Sequence, residues 1–531
     1  MTRLARSAGL IGLATLASRV LGLARDVVYA WLFGAGDRMD AFNVAFRIPN
    51  LVRDLFAEGA MTAAFVPTFT RYVEQRGREA AWRLGSLVVS ALVIVTGAVA
   101  VAGIALAEPI TLLFARDYAA VPGKLELTAQ LTRIMFPFLS LVALAVAFMG
   151  MLNSLRHFFV PALSPALFNV GAILGALAIV PLMPAIGLDP VAGLAIGTLV
   201  GGLLQAAVQW PSLRREGFRF HFRIDTRDPG LREILILMGP GTIGLAAVQI
   251  NQFVNTVLAT GEGTGAVSWL NYAFRLMYLP IGLFGVSIAT AALPTVSALA
   301  ARGDRDGMRR TIAAGLRLML ALNVPATVGL IALATPIVAL IFERGSFTAA
   351  DTPATAAALV FYAPGLLGYS AVKLASPTFY ALQDSRTPVA VSILSVGVNV
   401  VLNLTLVRVL GYRGLALGTA LSSLLNAGVL LWLLRRRLGG LEERQVGVAL
   451  LKILAASALM AATAVATERQ VALWLAPREL VSQVLAVGSA IAVGLVVLAM
   501  SARVLGIEEL DEALSRVAAR LGRAGRHGSA S

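Results

Sequence analysis

Apolar runs of about twenty residues follow one another along the whole of this chain, and each is long enough to cross the roughly 30 Å hydrocarbon core of a bilayer as a helix. Fourteen fall near residues 8–31, 40–67, 84–107, 129–152, 159–180, 190–211, 231–259, 265–298, 311–333, 354–381, 387–407, 414–434, 448–467 and 480–502. Lipid offers no hydrogen-bonding partner, so each run must satisfy its own backbone groups, which a helix does and an open strand does not. Of the 531 residues, 58% are hydrophobic and 14% charged, more apolar surface than a water-soluble globule can hide. The expected fold is an all-α polytopic membrane protein of about fourteen transmembrane helices.

A formal charge of +15 would suggest nucleic acid if the basic residues were clustered, but they are distributed by side. With the N-terminus inside, 27 of the 44 lysines and arginines fall in cytoplasmic segments, Arg71, Arg215 and Arg436 among them, and eight fall in outer loops, including Lys124 and Arg344. An excess that alternates in register with fourteen spans is the positive-inside pattern, and it puts both termini in the cytoplasm. Basicity here reports orientation, and no nucleic-acid partner is expected. The chain has no cysteine, and His157, His221 and His527 lie in loops or the tail, so neither a disulfide, a metal site nor a cofactor is expected. The opening residues Met1 to Arg6 lead into an apolar run as a signal peptide does. Arg19 interrupts that run and no small-residue cleavage motif follows, so the first segment is read as a retained span.

The sequence repeats itself. Asn43-Val44-Ala45-Phe46-Arg47 reappears as Asn271-Tyr272-Ala273-Phe274-Arg275, 228 residues on. Pro109-Ile110 with Leu113-Phe114 matches Pro336-Ile337 with Ile341-Phe342, and Leu152, Arg156 and Asn169-Val170 match Leu382, Arg386 and Asn399-Val400. Nearly equal offsets argue for two pseudo-symmetric six-helix lobes, 1–211 and 231–437, joined by a basic linker at 212–230. Helices thirteen and fourteen (438–505) and a cytoplasmic tail (506–531) stand outside the repeat. Six spans per lobe make the repeat parallel, about an axis along the membrane normal, the arrangement in which a substrate passes between lobes by alternating access. In the linker, Arg214, Arg215, Arg219 and Arg223 interleave with Phe218, Phe220 and Phe222, a pattern expected at anionic headgroups. In the tail, Leu510, Leu514, Val517 and Leu521 are spaced as on a surface amphipathic helix.

Charges inside the spans carry the functional signal, because a mid-membrane arginine costs about 2.5–3.5 kcal/mol on insertion scales and so marks a polar or wet surface. Segment one holds Arg19, Arg25 and Asp26; Arg19 and Asp26 are seven residues apart and share a face, with Gly22 between them and Arg25 pointing elsewhere. In segment two, Asp40, Asn43, Arg47, Asn50, Asp54 and Glu58 follow at spacings of 3, 4, 3, 4 and 4, one polar stripe with Arg53 at its edge. That stripe reads either as ion pairs tying helices together or as the wall of a water-filled cavity, the second being preferred, and Pro49 is expected to interrupt the helix. Asn271, Arg275 and Tyr278 share a face of segment eight, and Lys373 lies midway along segment ten. The cations Arg19, Arg25, Arg47, Arg53, Arg275 and Lys373 outnumber the anions Asp26, Asp40, Asp54 and Glu58. The planar guanidinium fork suits phosphate oxygens, so the surplus favours an anionic, phosphorylated ligand over a cation.

These same residues carry a resemblance. Ser18-Arg19-Val20-Leu21-Gly22 with Arg25-Asp26, Phe33-Gly34-Ala35-Gly36, Asp40-Ala41-Phe42, Ala45-Phe46-Arg47-Ile48-Pro49-Asn50, Phe56-Ala57-Glu58-Gly59-Ala60 and Ala64-Phe65-Val66-Pro67 resemble the signature of the MurJ (MviN) family. Those are lipid II flippases of the multidrug/oligosaccharidyl-lipid/polysaccharide exporter superfamily. The likeness continues through Tyr272 to Met277, Pro280-Ile281-Gly282, Lys373 to Pro377, Phe379-Tyr380-Ala381, Asp384 and Thr387-Pro388, and covers essentially all fourteen spans. It implies a transporter, not an enzyme, in the bacterial inner membrane, moving undecaprenyl-pyrophosphate-linked disaccharide-pentapeptide to the outer leaflet for peptidoglycan synthesis. It implies that Arg19, Arg25, Arg53, Arg275, Asn50 and Lys373 meet the substrate in a central cavity and that Asp26, Asp40, Arg47 and Glu58 form gating or ion pairs. Segments thirteen and fourteen are then expected to help form a groove for the lipid tail. Membrane lipids and the peptidoglycan synthesis machinery are the implied further partners of a chain expected to be a monomer. Phe274, Tyr278 and Asp54 depart from the family's charged pattern, so gating pairs built on those positions are not carried over, and no sodium site is. Two other readings are a polysaccharide-unit flippase or drug antiporter of the same superfamily, which usually has twelve spans, and a membrane glycosyltransferase, which needs a carboxylate near the outer surface.

Overall fold

The computed structural model describes residues 3–54, 60–475 and 479–511. Among the described residues there is no strand, and the described part of each of the fourteen apolar runs falls on one to three successive helices. Nine helices among the described residues are long and apolar enough to cross a membrane. They become ten if Asp351–Tyr362 and Gly365–Ala381, bent by 40° where Pro364 intervenes, are one span. Proline also separates Lys124–Met135 from Phe138–Ser154, at Pro137, and Pro280 ends Ala266–Pro280 in a π-helical turn, Ile281–Gly285.

The chain divides into two compact units, residues 1–268 with 344–347, and residues 269–343 with 348–531. In the first unit, helices Phe159–Ile179 and Ala192–Ala207 approach each other closely. Gly171 and Gly175 face Gly197 and Gly201, and a Cβ built on Gly175 would lie 2.5 Å from the Gly197 Cα. Lipid removes the hydrophobic drive for helix pairing, and small residues four apart replace it with backbone-to-backbone packing. Phe65, Phe69, Phe138, Met151 and Phe218 fill the core of this unit. Phe218 is thus drawn inward from the basic linker, between Trp82 and Trp210 with ring centroids 5.2 and 5.9 Å away, while Arg219, Phe220, His221, Phe222 and Arg223 stay exposed. Helix Pro229–Thr260, capped by Asp228 accepting from the Gly230 and Leu231 N–H groups with Pro229 in its first turn, also belongs to this unit.

In the second unit, Ile312, Leu316, Phe379, Leu430 and Leu434 form the main core. The last two long helices, Glu443–Trp474 and Leu480–Leu505, set Ile453, Ala456, Leu498 and Ala502 against Ala321 and Val324 of helix Arg305–Ala332. Ile507 and Leu510 join that cluster, so Leu510 is buried; Leu514, Val517 and Leu521 lie outside the described residues. Arg317 ties this corner together, donating to Glu509 at 2.5 Å and to Gln445 at 2.6 Å.

Candidate functional site

Helix Arg3–Phe33 carries the first cations. Arg25 donates Nε and Nη2 to Asp26 Oδ1 at 3.1 and 2.9 Å, and its guanidinium lies 5.7 Å from the ring centroids of both Tyr29 and Phe168. The partnership differs from the one the helical spacing suggests: Asp26 takes the neighbouring Arg25 and not Arg19. Adjacent residues stand about 100° apart around a helix, but three methylenes let a guanidinium fold back across that angle. Arg19 is half-buried and has no hydrogen bond or ion pair among the described residues. Beside Gly22 sits Asn169, whose Nδ2 donates to the Ser18 carbonyl at 3.1 Å, so the gap at this glycine is filled by a neighbouring helix.

The polar stripe of segment two lies on helix Asp37–Arg53, which runs through Pro49 without ending. The expected interruption does not occur there; the ring removes one N–H, and Asn50 Nδ2 donates at 2.8 Å to the Phe46 carbonyl on the same turn. Three members of the stripe are bonded to other segments of the first unit. Asp40 is fully buried and accepts from Gly265 N at 2.7 Å, Ser268 N at 3.1 Å and Ser268 Oγ at 2.7 Å. It thereby supplies the carboxylate that the first turn of helix Ala266–Pro280 lacks in its own sequence. Asn43 Nδ2 donates to Ser268 Oγ at 3.1 Å, and Arg47 Nη1 to Gln252 Oε1 at 2.6 Å. Arg53 folds onto Asp54 through Nε and Nη2, at 2.9 and 2.6 Å. The Asn50 Oδ1 is buried with no partner among the described residues. Glu58 lies outside the described residues.

Sequence reasoning missed Lys124, counted above with the outer loops. It is almost fully buried, and its Nζ reaches Asp37 Oδ1 at 2.7 Å and Asp40 Oδ2 at 3.1 Å, 4.1 Å from the Tyr118 ring centroid. Burial tends to raise the Asp37 carboxyl, but hydrogen bonds from Lys124 and Thr264 outweigh it and hold the group below its ordinary range. Burial, reinforced by the charges of Asp40 and Asp37, pushes the Tyr118 hydroxyl well above its usual value. No local signal could have revealed Lys124, because its partners are 84 and 87 residues away in sequence.

In the second unit, Arg275 is half-buried on helix Ala266–Pro280. Phe274 and Tyr278, at two of the departures noted above, stack at 5.7 Å, and Phe274 meets Tyr362 edge-on at 5.5 Å. Aromatic packing thus occupies both of these positions. Lys373, on helix Gly365–Ala381, is exposed and has no hydrogen bond or ion pair among the described residues. Chemically, Arg19 and Lys373 are uncommitted donors among the described residues, Arg25 and Arg53 each bond an adjacent carboxylate, and Asp40 and Arg47 are engaged in holding segments together.

A family model described as "Lipid II flippase MurJ" matches residues 29–485. The chain belongs to the MurJ family. A probable lipid II flippase MurJ of Vibrio cholerae is 37% identical over 435 residues, 81% of this chain and 82% of that one. A lipid II flippase MurJ of Burkholderia cenocepacia is 36% identical over 427 residues, 80% and 82% of the two chains. A solved lipid II flippase MurJ in an inward closed conformation superposes with a TM-score of 0.75 at 27% identity, covering 93% of this chain and 99% of that one. A multidrug-resistance MATE transporter of the MOP superfamily, inward-facing, superposes with a TM-score of 0.67 at 17% identity over 81% of this chain and 99% of that one, a likeness of fold alone. MurJ membership accords with a multi-pass helical membrane protein of the transporter kind.

Proposed function

We propose that this chain moves lipid II from the inner to the outer leaflet of the bacterial cytoplasmic membrane by alternating access, with both termini cytoplasmic and no bond in the substrate made or broken. The observation that carries the reading is the 36–37% identity to relatives named as lipid II flippases, over four-fifths of both chains. The residue chemistry supports it independently. Guanidinium and ammonium groups placed within apolar segments suit a ligand that brings two phosphates, because charge-assisted bonds to phosphate are roughly twice as strong as neutral ones. In this reading Arg19, Arg25, Arg53 and Arg275 clamp the pyrophosphate, with Lys373 as a further cation, and the polyprenyl tail remains in lipid. Asn50 has a different part: its unpartnered amide oxygen is an acceptor, so it suits a hydroxyl or N–H of the sugar-peptide headgroup and not a phosphate oxygen.

Binding to the purified chain tests this. Lipid II is expected to bind more tightly than undecaprenol, which lacks the pyrophosphate, and Arg19→Ala to weaken lipid II binding about ten- to a hundredfold, the effect of one lost hydrogen bond to a charged group. Equal affinity for the charged and uncharged lipids, or unchanged binding in Arg19→Ala, would overturn the reading.

A further inference from the structure

Helix Pro229–Thr260 is largely apolar, yet it carries Gln249, Asn251, Gln252 and Asn255 within seven residues. Gln252 is committed, since its Oε1 accepts from Arg47 Nη1 at 2.6 Å. Gln249 is not. It is half-buried, its Oε1 is shut off from solvent without a partner, and its side chain makes no hydrogen bond among the described residues. An unpaired buried amide destabilises the fold that holds it, so its place in the chain calls for a partner from outside.

Two contacts fix where Gln249 lies. Asp40 bonds Gly265 and Ser268, and Arg47, about two turns further along the same helix, bonds Gln252. The partner's number falls as that of helix Asp37–Arg53 rises, so helix Pro229–Thr260 runs antiparallel to it. Asn50 follows Arg47 by three residues, and Gln249 precedes Gln252 by three. In an antiparallel pair those steps go the same way, so both amides lie about 4.5 Å beyond the Arg47–Gln252 bond, at one level. Residues three apart also share a helix face, so each amide is on the same side as its bonded neighbour. Asn50 is 9% exposed and its Nδ2 is given to the Phe46 carbonyl, which leaves its Oδ1 in the same condition as Gln249 Oε1.

We propose that Gln249 is a specificity-determining residue for the transported lipid, acting with Asn50 on the neutral N–H and hydroxyl groups of the headgroup. The inference rests on the lipid II reading and adds to it the group that reads the sugar-peptide end. Two uncharged acceptors select hydrogen-bond donors. Ionised phosphate and carboxylate oxygens have no proton to give, whereas sugar hydroxyls and acetamido or peptide N–H groups do. The terminal torsion of a glutamine is broad, so the amide turns toward a ligand at little cost while Arg47 and Gln252 hold the two helices at that level. Undecaprenyl pyrophosphate has the tail and phosphates of lipid II but no disaccharide or peptide, and it leaves both oxygens unpaired. A site built to bond such donors discriminates against a ligand that lacks them.

Binding of lipid II and of undecaprenyl pyrophosphate to the detergent-solubilised full chain, read together with its unfolding temperature, tests this. Gln249→Met keeps the side-chain length and removes both polar atoms. It is expected to lower the preference for lipid II over undecaprenyl pyrophosphate roughly three- to tenfold, the effect of one neutral hydrogen bond. Binding of undecaprenyl pyrophosphate is expected to stay unchanged, and the unfolding temperature to be no lower than wild type, because an unpaired buried amide is gone. Gln252→Met strips Arg47 of its acceptor and is expected to lower the unfolding temperature. Asn251, about 200° around the helix from Gln249, is the control, and Asn251→Leu is expected to leave the preference unchanged. No wild-type preference for lipid II, an unchanged preference in Gln249→Met, equal weakening of both lipids, a loss of stability like that of Gln252→Met, or the same effect in Asn251→Leu would each overturn the assignment. If the wild-type chain binds undecaprenyl pyrophosphate no better than undecaprenol, the pyrophosphate clamp falls, while a lipid II affinity that depends on Gln249 still upholds the headgroup contact.

Discussion

Asp40 shows how much one side chain can hold. Its two oxygens take four donors, from Lys124, Gly265 N, Ser268 N and Ser268 Oγ, inside the first unit. Asp40→Ala leaves a nearly fully buried ammonium with Asp37 as its remaining carboxylate and two N–H groups of a helix start unsatisfied. Removing one partner of a buried pair costs about 3–5 kcal/mol, and thermal unfolding of the detergent-solubilised variant is expected to show a loss of that order. Lys124→Met removes the cation while three donors still satisfy Asp40, so its loss is expected to be clearly smaller. A larger loss in Lys124→Met than in Asp40→Ala would show that the lysine, not the carboxylate, anchors the cluster. The stripe containing Asp40 was legible as a polar helix face, but its partners were not, since Gly265 and Ser268 lie 225 and 228 residues away. Arg25 and Asp26 failed to be paired for a different reason: counting faces at a fixed angle per residue ignores the reach of the arginine stem.

At the scale of elements, hydropathy alone placed the helices, because a segment in lipid must satisfy its own backbone. Breaks within runs were legible only in part: Pro137 and Pro364 separate helices, whereas helix Asp37–Arg53 passes Pro49 and ends beyond it. Packing had a signal that the periodicity argument did not use, Gly197 and Gly201 four residues apart opposite Gly171 and Gly175, with Gly193 a further four residues back against Val180. A side chain at Gly197 meets the Ala176 backbone nitrogen at 2.9 Å, and backbone cannot step aside as a flexible side chain can. Gly197→Leu is expected to part helices Phe159–Ile179 and Ala192–Ala207 and to destabilise the chain by at least the ~1–3 kcal/mol typical of overpacking. Gly397→Leu, at a position with nothing within 4 Å of a built Cβ, is the matched control and should leave the unfolding temperature nearly unchanged. Equal effects of the two substitutions would remove close helix approach as the explanation.

For the whole molecule, family membership and residue chemistry converge on one task. The arginine surplus in the spans was visible in the sequence because charge is costly there and therefore conspicuous, and the fold places Arg19, Arg25, Arg53, Arg275 and Lys373 on helices. What a linear reading did not provide was which charges are structural: Asp40, Arg47 and Lys124 are bound to distant segments, and only three-dimensional packing separates them from the others. The proposed transport requires that the cations proposed to meet the substrate matter to flux and not to folding. The most direct measurement is the accessibility of lipid II in the outer leaflet of the host bacterium after depletion of this chain. Accessibility is expected to fall on depletion, to return with the wild-type chain, and not to return with Arg19→Ala or Arg275→Ala expressed at wild-type levels. Unchanged accessibility on depletion, or full restoration by both variants, would contradict the account.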